Sequence, residues 1–153
     1  ATTSMTVVLN RQTIFEREQA FGGQLLTQEL VRLYGLTHEE AETRKRTGDL
    51  PDNYQQDLLR PFVEQGATDI GRALQFFFTS TPYTRVDKIL LAGGSAVVPG
   101  LVQAVAERTQ VPTELLSPFQ GMELSATIRE RQLRSDAPAL LVATGLAMRR
   151  FDA

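Results

Sequence analysis

The chain has 153 residues, 42% of them hydrophobic and 22% charged, with a formal net charge of −2 and no cysteine. This is the composition of an ordinary globular domain long enough to bury one core. It excludes a disulfide framework and thiolate chemistry, leaves the single His38 short of a histidine metal site, and gives no reason to expect nucleic acid, which needs clustered basic charge. No apolar run approaches the roughly 18 residues of a membrane span. The start, Ala1-Thr2-Thr3-Ser4, lacks both regions of a secretory signal. It also lacks an initiator methionine, and a strand pattern begins almost at once, so the chain reads as a fragment of something longer.

Met5–Leu9 is rich in β-formers, Asn10-Arg11-Gln12 is a turn, and Thr13–Glu18 alternates, which together predict a β-hairpin. Phe21-Gly22-Gly23 breaks the pattern. From Gln24 to Tyr34, Leu26, Leu30, Leu33 and Tyr34 recur at helical spacing, and Gly35 is a stop. Thr37-His38-Glu39-Glu40 has capping-box spacing and opens a helix that ends at Gly48. A longer helix follows from about Tyr54, with Leu58, Leu59, Phe62, Val63, Ile70, Ala73, Leu74 and Phe77 on one stripe and Pro61 either kinking it or starting a second helix. Then come a strand at Val86–Leu91, a helix at about Pro99–Arg108, a short strand at Val111–Leu116, and a last helix with Asp136 as cap and Pro138 in its first turn. The order predicts an α/β fold with a helical insertion between two β-containing parts.

Two glycine pairs follow strands and precede helices. Gly93-Gly94, with Ser95 next, permits a tight turn and close approach of backbone to a bound group, with a helix N-terminus to follow. The same pattern also serves as a purely steric turn. It is neither a Rossmann fingerprint nor a P-loop. Gly22-Gly23 reads in the same two ways, and two such junctions in one small domain favour a shared cleft. The helix after Thr37 has Ala41 as nearly its only apolar residue. Either it is a solvated helix held by pairs such as Glu42 with Arg46, or Glu42, Lys45 and Arg46 line a cleft in which a carboxylate accepts ribose hydroxyl protons and the cations meet a base. Phe76-Phe77-Phe78 reads as a helix end entering the core. No Ser-His-Asp set can be assembled.

Taken in order, the hairpin at Ala1–Leu9, Gly22-Gly23, Glu42-Thr43-Arg44-Lys45 and Gly93-Gly94-Ser95 resemble the second half of the actin-like ATPase superfamily. Phe15–Gly23, Arg72–Phe78 and Asp136–Leu140 resemble, more narrowly, the PilM family of type IV pilus assembly proteins. The resemblance implies an actin-like (RNase H-like) second domain: a mixed sheet flanked by helices, with a mainly helical insertion and the first strand missing. It places one subdomain at residues 1–22 and 79–153 and the inserted one at residues 23–78. It implies ATP and Mg²⁺ between two halves of the intact protein, with Gly93, Gly94 and Ser95 near the adenosine and α-phosphate, Gly22 and Gly23 at the facing turn, Glu42, Lys45 and Arg46 at ribose and base, and Thr2 and Thr3 by the β- and γ-phosphates.

The same resemblance implies a cytoplasmic scaffold of the pilus assembly platform and of twitching motility, held at the bacterial inner membrane by the tail of a PilN-like partner that binds mainly through the missing half. The family's Asp-Ile-Gly strand and metal-side carboxylate are not in this sequence, so no ATPase activity is expected of this chain alone; of the intact protein, weak activity at most is expected. A sheet edge left open by that strand is expected to pair with another chain. The competing readings are an ATPase whose hydrolysis drives a pilus or cytoskeletal cycle, and a filament-forming relative of the division proteins.

Overall fold

The computed structural model describes residues 2–149, the side chains of Arg46 and Ser135 excepted. β1 (Thr3–Leu9) and β2 (Gln12–Gln19) form the expected antiparallel hairpin. Its two-residue turn places both Asn10 and Arg11 at positive φ, 51° and 66°, the geometry whose twist matches the strands. Opposite Val7 and Val8 the partners are Phe15 and Thr13, so Ile14 is the extra residue of a bulge. The bulge lets the consecutive residues Ile14 and Phe15 both reach the core beside Leu74 and Phe77.

α1 (Gly23–Tyr34) ends at Gly35, which adopts φ 63°. Its packed face follows Leu26, Leu30 and Tyr34 with Thr27 and Val31 alongside, which turns Leu33, expected in the stripe, out to solvent. α2 (His38–Thr47) has both arms of the capping box, between Thr37 and Glu40, and closes at Gly48 with φ 77°. Ala41, its one core residue, is completely buried. A π-helical turn at Gln55–Leu59 leads into α3 (Arg60–Ser80). Pro61 therefore starts the α-helical segment: it has no N–H to give, and the Arg60 N–H reaches back to Gln55 O, one residue further than in an α-helix.

α3 holds the molecule together. Its first turns, with Leu58 before them, place Phe62 in a cluster with Phe21, Leu26, Leu30 and Ala41. Its middle puts Val63 and Ala67 against Leu101 and Val105, and its end puts Leu74 and Phe77 beside the hairpin and Val111. Phe77 is 1% exposed, whereas Phe76 lies outside with the Arg17 guanidinium 4.3 Å above its ring.

β3 (Ile89–Leu91) pairs in parallel with β4 (Thr113–Leu115), both shorter than the sequence suggests, because residues 86–88 have no strand beside them. The expected mixed sheet is present as two separate pairs, one antiparallel and one parallel. Between β1 and the segment that leads into β3 lies a groove of about 440 Å³, its apolar lining including Ile14, Ile70, Leu74 and Phe77 and its polar lining Arg85, Asp87 and Lys88.

α4 (Leu101–Thr109) begins later than expected, since Gly100 at φ 85° cannot belong to a helix, and residues 94–100 are successive turns. At the end of the described chain, α5 (Glu130–Asp136), a 3-10 turn (Ala137–Leu140) and α6 (Leu141–Met148) follow one another. Asp136 accordingly ends α5 in helical conformation and makes no cap hydrogen bond, contrary to the sequence reading.

A Cβ on Gly66 would lie 2.6 Å from Phe21 Cζ and 3.2 Å from Leu101 Cδ1, and Phe21 cannot withdraw because its ring is stacked on Phe62 at 4.8 Å. At Gly71 the nearest atom is the exposed Arg108 stem at 3.3 Å. Ala in a helix gains about 1 kcal/mol over Gly, but overpacking costs about 1–3 kcal/mol. Gly66→Ala is thus expected to lower the unfolding midpoint and Gly71→Ala to hold or raise it, as measured by urea denaturation.

Candidate functional site

The two glycine junctions meet. The Gly23 N–H, at the first turn of α1, donates to Ser95 Oγ at 2.8 Å. A Cβ at Gly23 would fall 3.0 Å from that oxygen and 3.9 Å from Lys45 Nζ, so any side chain here would crowd the Ser95 hydroxyl. The other loop is anchored from behind: the Gly93 N–H donates to Pro138 O at 2.6 Å, which ties it to the 3-10 turn before α6.

α2 supplies the third side. Lys45 Nζ donates to Glu42 Oε1 at 2.9 Å, to Thr27 Oγ1 at 2.7 Å and to Gly23 O at 3.3 Å. Thr27 Oγ1 lies 3.0 Å from Gly23 O and also hydrogen-bonds to Glu42 Oε1. The Thr27 hydrogen bond first, and that from Lys45 second, hold the Glu42 carboxyl below its ordinary range. Both bonds fall on Oε1 of a side chain that is 42% exposed, which leaves Oε2 outside the network formed by the described side chains.

The structure therefore brings Gly22, Gly23, Glu42, Lys45 and Ser95 together and puts Gly93 and Gly94 in the same loop as Ser95. Glu42 pairs with Lys45, three residues on; the Arg46 side chain lies outside the described residues. Thr3 joins from the side, its Oγ1 donating to Phe21 O at 2.8 Å, while Thr2 is exposed ahead of β1. The helix expected from about Pro99 is present and begins at Leu101, so the backbone offered beside these glycines is that of the intervening turns. Sequence reasoning missed Thr27. Its signal was a polar residue between Leu26 and Leu30 on the buried face of α1.

Gly94 is the informative glycine. Gly93 has φ 96° and needs glycine for its backbone alone. Gly94 does not have positive φ, and nothing lies within 4 Å of a Cβ placed there. Neither backbone nor packing within the described chain calls for glycine at that position, whereas an approaching ligand would. Among the described residues no group of three His, Asp or Glu side chains could hold a metal ion.

Comparison with known proteins follows the same lines. The family model for the type IV pilus assembly protein PilM matches residues 1–151. The chain belongs to the PilM family. Among solved structures, one described as a PilM-PilN type IV pilus biogenesis complex matches 97% of this chain and 42% of its own, at 24% identity and a TM-score of 0.81. The ethanolamine utilization protein EutJ from Carboxydothermus hydrogenoformans matches 96% of this chain and 45% of its own, at 18% identity and a TM-score of 0.65. These likenesses establish the actin-like ATPase fold. The chain spans less than half the length of either matched chain.

Because Glu42 titrates below its unfolded range, its contribution to stability is complete above the ordinary carboxylate pKa and is lost as pH falls through the lowered one. The stability difference between the native chain and Glu42→Gln should be largest near neutral pH and shrink on acidification. Denaturation midpoints across that range check this, and a pH-independent difference would contradict it.

Proposed function

We propose that this chain forms the adenosine-side wall of an ATP site, and that the intact protein uses the bound nucleotide to set domain closure and partner affinity as a scaffold of the type IV pilus platform. The observation that carries the reading is Gly94, a glycine with open space over it, in the loop whose Ser95 is bonded to the first turn of α1. The neighbouring chemistry fits an adenine nucleoside. Glu42 Oε2 is an anionic acceptor for sugar hydroxyls, and the α1 N-terminus, with no acidic residue in its first turn, favours an anion. ATP when bound supplies the triphosphate; this chain supplies the groups that hold and orient its nucleoside end. The described residues offer no ligand set for the accompanying Mg²⁺.

Membership of a pilus assembly family, and likeness to a structure described as a PilM-PilN complex, support a PilN-like partner for the intact protein. In this proposal that partner holds the intact protein at the cytoplasmic face of the inner membrane; no described helix of this chain is long and apolar enough to cross a membrane.

Titration calorimetry of the intact protein with ATP tests the reading. Binding is expected, and both Glu42→Ala and Gly94→Val should weaken it by about tenfold or more, the loss that follows from one charge-assisted hydrogen bond or one blocked approach. Gly94→Val should leave the unfolding midpoint close to native, since open space receives the side chain. Unchanged affinity in both variants would sink the proposal.

A further inference from the structure

We propose that Thr27 is a positioning residue of this site: its hydroxyl fixes one carboxylate oxygen of Glu42 and the ammonium of Lys45, and so presents the other oxygen to the sugar hydroxyls of a ribonucleotide. The inference rests on the ATP reading above and adds to it the basis for choosing ribose over deoxyribose.

Thr27 is 0% exposed and is the one buried polar residue of the described core. A threonine in a helix commonly bonds the carbonyl four residues back, and Thr27 Oγ1 lies within that reach of Gly23 O, at 3.0 Å. That bond alone would be a local matter. The difference is that the same oxygen also meets two charged groups from another helix, Lys45 Nζ and Glu42 Oε1. A hydroxyl has one hydrogen to give and two lone pairs to receive. Lys45 can only donate, so it takes a lone pair. The hydrogen is within reach of Gly23 O and Glu42 Oε1, and a carboxylate is the stronger acceptor.

The arrangement has a direction. Lys45 and Thr27 both act on Oε1, and Lys45 is further held by Gly23 O. Among the described side chains Glu42 is thereby held at one oxygen, with no bond on the other, on a helix that is otherwise polar and whose buried apolar residue is Ala41. Without the hydroxyl, Lys45 still draws Glu42, but a flexible ammonium is a point charge with rotatable donors and does not select one carboxylate oxygen. The carboxylate then samples other rotamers and loses the preorganisation that a sugar contact requires.

The test compares ATP with 2′-deoxy-ATP on the intact protein, in its native form and as Thr27→Val, Thr27→Ala and Thr27→Ser. The native protein is expected to prefer ATP. Thr27→Val, which keeps the shape and removes the hydroxyl, should lose about tenfold in ATP affinity and bind the two nucleotides alike. Thr27→Ser should restore the preference. Should the valine variant fail to fold, the alanine variant carries the same comparison. In the nucleotide-free protein, the Glu42 carboxyl followed by NMR should titrate higher in the valine variant than in the native one, a change that loss of helix packing alone would not produce. A valine or alanine variant with the native ATP preference overturns the proposal and leaves the ATP reading standing. So does a native protein that binds both nucleotides equally. A native protein that binds neither overturns both.

Discussion

Phe21 stacks on Phe62 in the space left by the missing side chain of Gly66, and the placement of the site depends on this contact. Phe21 is the residue before Gly22-Gly23, so the ring fixes where the chain leaves the hairpin and α1 begins. Burying such a side chain is worth about 1.5–3 kcal/mol, but here its position matters more than its energy. Leu101 closes the same space from the other side, at the start of the helix that follows the Gly93–Ser95 loop. One close-packed point on α3 thus sets the distance between the two glycine junctions, and the bond from Gly23 to Ser95 forms because that distance is short.

The site is layered outward from there. α3 anchors α1; α1 buries Thr27; Thr27 and Gly23 gather Lys45 and Glu42 from α2. α2 itself has almost nothing to pack. Its capping box and left-handed glycine stop let it form locally, and Ala41 allows it to lie close to α1 without spending its polar faces. A helix with so little to bury is free to carry charged groups in a fixed direction.

Much of this is legible in the amino-acid sequence. α2 was readable to the residue because a capping box and a glycine stop are local signals, and both junctions, with Glu42 and Lys45, stood out by spacing. What escaped was set by tertiary geometry. The strand at residues 86–91 keeps only its last three residues because pairing, not β-propensity, defines a strand, and only Ile89–Leu91 lie beside β4. The helix expected from about Pro99 starts at Leu101 because Gly100 takes a left-handed conformation that the sequence leaves optional. α5 carries Glu130, Arg131, Gln132 and Arg134 with no apolar period to reveal it. Thr27 was hidden because a polar residue on a buried face is visible as an anomaly only once its partners on α2 are known.

β1 and β3 each keep an edge without a strand partner among the described residues, and residues of both strands line the same groove. For the chain in isolation the result is colloidal. Unpaired peptide groups above an apolar floor form a template on which any extended segment can add, including one from a second copy.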